Sequence, residues 1–288
     1  MVRLHRIVRF GTASWDGTGD LPRGKNSFAA SPIADSPGSF GEFLVKVEGE
    51  VGPRTKYLID IKDIDRVVRD LAIREIASRH ASGDHAIQPA ALLFSIMPRI
   101  ASAIAALRDD AGARLFSIEW FITPYYSLTM SPSTDSNTPT RAVMRQTFDF
   151  AASHRLHVPE LSDDENRRLF GKCNNPRGHG HNYRLRPSVE VSVHRDGTLA
   201  LSLATLERIV DETILTPFDH KHLNEDTTEF NAQKGGVVPS VENIARVFFE
   251  RLKPAIERAA TTTPHNAAPI LRSVEVWETD RTSAVYPA

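Results

Sequence analysis

The sequence predicts an α+β protein built from two units that share one order of elements. Three observations carry this. Period-two apolar runs are followed by runs with helical spacing in both halves of the 288 residues. The polar stretch SPSTDSNTPT, Ser131–Thr140, separates the halves and has no apolar periodicity. The halves also match each other when set side by side. YLIDIKDIDRVVRDL lies over LALSLATLERIVDET, pairing Ile61 with Leu203, Ile64 with Leu206 and Val67 with Ile209, while QPAALLF lies over VPSVENI and SIEWFIT over SVEVWET.

In the first half, Leu4–Ser14 reads as a strand and is followed by a Gly/Pro/Ser-rich stretch, Asp16–Ser39. Phe43, Val45 and Val47 alternate, and Tyr57–Ile61 is a second β-rich run, so the two predict a hairpin. Ile64, Val67, Val68 and Leu71 then take helical spacing, with Asp60 or Asp63 as the cap. A second helix is predicted over Ala90–Arg108 and a closing strand over Phe116–Ile122. The second half repeats the order. Strand Arg145–Ala152 is followed by a hairpin of Tyr183–His194 with Thr198–Leu203. One helix carries Leu206, Ile209, Val210 and Ile214, a second runs Val241–Ile256 behind Ser240 as N-cap, and Ser273–Glu278 closes the unit.

Composition narrows the function. A hydrophobic content of 41%, with 25% charged residues, is ordinary for a globular chain able to bury a core. The net charge of −1 gives no general pull toward nucleic acid or an anionic membrane, and neither is expected as a partner. One cysteine rules out an intrachain disulfide framework and suits a reducing compartment. No secretory leader and no bilayer-length apolar stretch is read, so a cytoplasmic location is expected.

Chemistry concentrates in LFGKCNNPRGHGHNY, Leu169–Tyr183. His179 and His181 are two apart and face one way if Gly178–Leu185 is a strand. An H-x-H pair alone is more readily two solvated or hydrogen-bonded imidazoles than a metal site. His154, at the end of the alternating run Phe148, Phe150 and Ala152, is the candidate third ligand. Three neutral imidazoles with an open position make a catalytic rather than a structural zinc arrangement. Cys173, if it is not a ligand, is free for chemistry.

FDFAASH, LFGKCNNPRGHGHNY, PFDHKHLN, PSVEN and VEVWET, in this order, resemble the 6-pyruvoyl-tetrahydropterin synthase / 6-carboxytetrahydropterin synthase family over about Met144–Tyr286. The resemblance implies a T-fold in each unit: a four-stranded antiparallel sheet with two helices on one face, several units closing into a barrel, hence a homo-oligomer. Together with the match between the halves, it divides the chain into 1–130, a degenerate repeat, 131–143, a linker, and 144–288, a catalytic domain. It further implies that His154, His179 and His181 hold Zn2+, that Cys173 is the general base, and that Asp219 and His220 form a proton relay. Glu278 then anchors the pterin of 7,8-dihydroneopterin triphosphate, and Glu242 matches a second position near it. As an acid in the first turn of a helix, Glu242 is equally explained by the helix dipole. His222 falls outside the family motif and reads as solvated. Arg155, Lys172, Arg177 and Lys221 sit inside or beside the motifs, where they could meet the triphosphate, but each reads individually as a solvated surface charge.

In the first half, Ser14 stands opposite His154, Pro37 and Ser39 opposite His179 and His181, and Ile122 opposite Glu278. Asp84-His85 imitates Asp219-His220 out of register. That half is expected to hold no such metal. Two reactions fit the resemblance: elimination of triphosphate to 6-pyruvoyl-tetrahydropterin, or side-chain cleavage to 6-carboxytetrahydropterin with release of acetaldehyde. The Cys-x5-His-x-His spacing favours the first. A non-catalytic zinc- and pterin-binding subunit is the remaining alternative, against which the intact Cys173, Asp219 and His220 speak. Cyclohydrolase or urate-type chemistry has no motif behind it.

Overall fold

The computed structural model describes residues 1–12, 40–83, 88–107, 112–132, 140–194, 196–259 and 268–288. Ser14, Pro37, Ser39, Asp84, His85, the stretch Asp16–Ser39 and most of the expected linker lie outside them. The chain divides into two compact units, Met1–Met144 with Val193–Leu199, and Arg145–Ser192 with Ala200–Ala288. Each combines an antiparallel sheet with helices, an α+β arrangement.

In the first unit, β1 (Val2–Gly11), β2 (Phe40–Gly49), β3 (Arg114–Phe121) and β4 (Tyr126–Met130) pair antiparallel in that order. Helix α1 (Ile61–Val68) runs through a π-helical turn, Arg69–Ile73, into α2 (Arg74–Ala81). The expected strand Tyr57–Ile61 does not form: Tyr57 and Leu58 lie in a bend, Ile59 and Asp60 have no regular structure, Ile61 opens α1, and Asp60 caps that helix by accepting from the Lys62 N–H. The Phe43–Val47 run pairs with β1 and β3 instead. Ile122, set opposite Glu278 in the sequence, lies in the bend after β3, whose hairpin with the short β4 was not expected.

Helix α3 (Pro89–Ala106) corrects another expectation, because it is long and apolar enough by length and composition to cross a membrane. Its Leu92, Leu93, Ile96, Ile100 and Ile104 are buried at helical spacing while Pro98 and Arg99 are exposed, the pattern of a helix packed on one side. The core joins these residues to Phe10, which stacks on Phe43 at 5.4 Å, and to Trp120, 5.4 Å from Phe43.

Strand β5 (Arg141–Gln146) straddles the division after Met144. It is separate from β6 (Phe148–His154), so the single strand expected over Arg145–Ala152 is broken at Thr147. Next comes α4 (Asp163–Phe170), opened by a reciprocal capping box between Ser162 and Glu165, and then β7 (His179–Ser192). The expected strand Thr198–Leu203 reduces to one bridge, Val193 with Leu199. Asp196 folds the preceding turn by accepting from the Thr198 N–H and hydroxyl, and Ser202 is taken up as the cap of α5 (Leu203–Val210).

A π-helical turn, Asp211–Leu215, leads into α6 (Thr216–Phe218), β8 (Lys221–His222) and α7 (Leu223–Asp226). Helix α8 (Val241–Arg258) begins at Ser240, whose side chain accepts from Asn243 N–H. Strands β9 (Ile270–Thr279) and β10 (Thr282–Tyr286) complete the sheet β6–β7–β9–β10, all antiparallel, with β8 parallel on the outer side of β6. Phe150, Tyr183, Leu185, Val274 and Val276 are buried beneath α8, whose Ile244, Ala245, Phe248, Leu252 and Ile256 face them. Period two in the strands and 3.6 in the helix thus meet in one core.

Candidate metal centre and adjoining cleft

The register of the β6–β7 pair builds the centre. It sets His154 opposite His179 and Ala152 opposite His181, so alternation along β7 puts both of its imidazoles on the side of His154. One ring nitrogen from each of the three lies within 4.8 Å of the others, and this is the described group of three that could hold a metal ion. His154 Nε2 and His179 Nε2 are 3.2 Å apart.

The hydrogen bonding fits a metal. His154 is fully buried, and its Nδ1 lies 2.7 Å from the carbonyl oxygen of Pro239, an acceptor only. The proton therefore sits on Nδ1, which leaves the Nε2 lone pair directed to the cluster, as a ligating histidine requires. Burial lowers the His154 pKa to about 4, with His179, His181 and His222 adding to the fall against the Pro239 bond, so the ring is neutral at pH 7. Burial and then His181 also lower His179, opposed by Glu278. Among the described residues, His179 Nδ1 and His181 Nε2 are enclosed without hydrogen-bond partners. Three imidazoles whose ring nitrogens converge are a donor set suited to zinc and other borderline cations.

Glu278 reaches the centre from β9, one residue beyond Trp277, which pairs with Arg184 of β7. Its Oε1 is 3.4 Å from His154 Nε2 and 3.8 Å from His181 Nε2. Tyr183 stacks on Phe150 at 4.9 Å and brings its hydroxyl to 3.4 Å from His154 Nδ1. Burial, then Glu278 and Cys173, raise the Tyr183 pKa, so the phenol stays protonated.

Cys173 is half-buried in the 3-10 turn Gly171–Asn174. Its carbonyl accepts from the Leu156 N–H at 2.9 Å, which ties the turn to the chain two residues beyond His154. Asp219 and His220 stand on the loop before β8. Asp219 Oδ1 accepts from the Ala151 N–H at 2.7 Å, its Oδ2 lies 2.8 Å from His220 Nδ1, and His220 N–H donates to the Ala151 carbonyl at 2.6 Å. Burial alone would raise the Asp219 pKa, but these hydrogen bonds outweigh it and hold the carboxyl below its ordinary value. His220 adopts φ +55, a strained conformation for a residue other than glycine, and its side chain is 81% exposed.

A cleft of about 440 Å³ runs beside the triad, lined by Ser153, His181, Asn182, His220, Lys221 and His222 among others. The expectation of a solvated His222 is corrected here. Strand β8 sets His222 against Ser153, its ring is half-buried next to Gly178, and its Nδ1 is enclosed without a partner among the described residues. Glu242 is exposed in the first turn of α8, three residues after Pro239. Sequence reasoning missed the Pro239 carbonyl, Tyr183, Asn174 and Asn224. The only hint was that each lies inside or next to a quoted motif.

Residues 143–288 match the family described as 6-pyruvoyl tetrahydropterin synthase. The 6-pyruvoyl tetrahydrobiopterin synthase of Homo sapiens is 36% identical over 146 residues, which span 51% of this chain and 91% of that protein. The 6-carboxy-5,6,7,8-tetrahydropterin synthase of Haemophilus influenzae is 29% identical over 132 residues, 40% of this chain and 84% of that one. The solved 6-pyruvoyl tetrahydropterin synthase of Caenorhabditis elegans is 33% identical, covers 51% of this chain and 96% of its own, and superposes with a TM-score of 0.43.

Proposed function

This chain belongs to the 6-pyruvoyl tetrahydropterin synthase family, and we propose that it is a zinc-dependent lyase acting on 7,8-dihydroneopterin triphosphate. The observation that carries the reading is the convergence of His154, His179 and His181 with the His154 proton spent on Pro239. Zinc held by these three would supply Lewis acidity, which polarises side-chain oxygens of the substrate and acidifies the adjacent carbon-bound protons. Cys173 takes such a proton as general base. His220, oriented by Asp219, returns or removes a second proton from its place on the wall of the cleft. Glu278 accepts hydrogen bonds from the pterin N–H edge, a directional pairing for a carboxylate. Glu242, exposed in the first turn of α8, is the second candidate contact to the pterin.

The product of this reading is 6-pyruvoyl-tetrahydropterin. It is supported by the Cys-x5-His-x-His spacing and by curated relatives of that name at 31–36% identity, against 29% for the carboxy enzyme. The first unit runs strand, strand, helices, strand, strand, and the second runs likewise once α4, inserted between β6 and β7, and the two-residue β8 among its helices are set aside, a correspondence that supports a tandem of T-fold units. The first serves the architecture, and copies of the chain assemble by barrel closure.

The test is incubation of zinc-loaded protein with 7,8-dihydroneopterin triphosphate, with products identified by mass spectrometry and Cys173→Ala alongside. A pyruvoyl product that is lost in the variant is expected. Acetaldehyde with 6-carboxytetrahydropterin would move the assignment to the other reaction. Pterin binding without turnover would make the chain a non-catalytic binder.

A further inference from the structure

Beyond His154, residues 155–158 have no regular structure, yet the backbone N–H and carbonyl groups of Arg155 and Val158 pair with the side-chain amides of Asn224 and Asn166. The parallel register of β8 on β6 pairs Ala152 with Lys221 and Ser153 with His222, and the same offset carries Arg155 opposite Asn224. There the backbone has already turned into α7 and cannot pair. The Asn224 side chain pairs in its place: its Oδ1 accepts from Arg155 N–H at 2.7 Å and its Nδ2 donates to the Arg155 carbonyl at 3.0 Å. A primary amide offers one donor and one acceptor side by side, as a strand residue does.

Arg155, fixed in this way, extends to the Cys173 turn. Its Nε donates to the Asn174 carbonyl at 3.2 Å and to Asn174 Oδ1 at 3.0 Å, and Oδ1 also meets His157 Nδ1 at 3.1 Å. Asn174 is 6% exposed, so these bonds replace water that the site does not admit. One residue earlier, the Cys173 carbonyl takes the Leu156 N–H. The chain running out of one metal-ligand candidate, the turn bearing the thiol, and the helix α7 that carries Asn224 thus meet at Arg155.

We propose that Asn224 is a positioning residue that acts through Arg155 to hold the Cys173 turn in fixed relation to the His154–His179–His181 cluster. The proposal rests on the metal-site reading of that cluster and is independent of which substrate the cleft accepts. An isosteric Asn224→Leu removes the amide, Asn224→Asp keeps only the acceptor, and Arg155→Met leaves the backbone pairing intact while removing the guanidinium.

The readout is the rate of Cys173 alkylation by iodoacetamide in the full chain at one pH, with and without bound zinc, together with the visible spectrum of the cobalt-loaded protein. In the wild type, zinc is expected to change the alkylation rate by about fivefold or more, because a cation held near a thiol alters its reactivity. In Asn224→Leu and Arg155→Met the change should fall to within about twofold, with Asn224→Asp between, while Arg155→Met keeps the wild-type cobalt spectrum. If Asn224→Leu does not fold, Arg155→Met and Asn224→Asp decide the matter. A zinc-linked change preserved in the variants overturns the proposal, and so does its absence from the wild type. Failure of the wild type to turn over 7,8-dihydroneopterin triphosphate, with the alkylation pattern intact, would count against the substrate reading alone.

Discussion

Nδ1 of His154 lies 2.7 Å from the carbonyl oxygen of Pro239, a residue 85 positions further along the chain. That contact fixes the tautomer of the buried imidazole and points its remaining lone pair at His179 and His181. His154→Ala should therefore remove a ligand and open a hole in a fully buried position. Zinc affinity measured by chelator competition is expected to fall by more than the roughly 10–100-fold associated with losing an outer-shell partner. In the wild type, zinc at 100 times its dissociation constant should stabilise the chain by about 2.7 kcal/mol, and in the variant at the same concentration by far less. An affinity within threefold of wild type would remove His154 from the ligand set.

Asp219 couples the His220 loop to β6, and its hydrogen bonds hold the carboxyl below its ordinary value despite burial. A carboxyl depressed in the folded state contributes stability above its unfolded pKa, and that contribution is lost as pH falls through the folded value. The acid limb should thus begin near the ordinary carboxylate value of 3.8 and continue below it. Asp219→Asn can still accept from Ala151 N–H but has no such titration, so its urea midpoint should be lower at pH 7 and flatter between about pH 5 and 2. Equal slopes in the two proteins would show that Asp219 does not carry the acid limb.

The site was legible in part, for reasons that separate local pattern from long-range contact. Alternation along a strand is a local property, so His179 and His181 could be placed on one face, and His154 at a strand end, from the residues alone. The Pro239 carbonyl leaves no trace in a sequence, since every residue has one. Asn224 acquires its role only because β8 gives way to α7 opposite Arg155, a matter of register between segments 69 residues apart. Helix α4 announced itself through Ser162 and Glu165, and that signal was passed over. Thr198–Leu203 was misread because its apolar residues are compatible with a strand, while Asp196 and Ser202 commit the backbone to a turn and a cap.

Gly178 precedes His179 with φ +70, and a Cβ there would lie 2.7 Å from His222 Nε2 and 3.0 Å from the His154 carbonyl oxygen. Gly178→Ala meets both the left-handed penalty of about 1–2 kcal/mol and a collision with backbone that cannot retreat. The variant should be less stable by about 2–3 kcal/mol in thermal unfolding and should bind zinc more weakly, because the collision bears on both strands that carry the candidate ligands. Adding His222→Ala should recover only the part due to the imidazole. A Gly178→Ala protein as stable as wild type would mean that the turn has room the geometry does not show.

Glu278 touches the cluster, with its Oε1 3.4 Å from His154 Nε2, yet its proposed work is on the pterin. The two uses separate by experiment, because a ligand-side carboxylate would govern metal affinity and an anchor would govern pterin affinity. Glu278→Gln keeps the shape and one acceptor oxygen but loses the charge that strengthens bonds to ring N–H and amino donors. Hydrogen bonds to a charged group contribute about 1.5–3 kcal/mol, so pterin binding followed by fluorescence should weaken by roughly 10–150-fold. Zinc affinity of the same variant should move by less than about threefold, since the three imidazoles and the Pro239 contact remain in place. The opposite pattern, intact pterin binding with zinc affinity lost, would make Glu278 part of the metal centre and leave the pterin without its anchor.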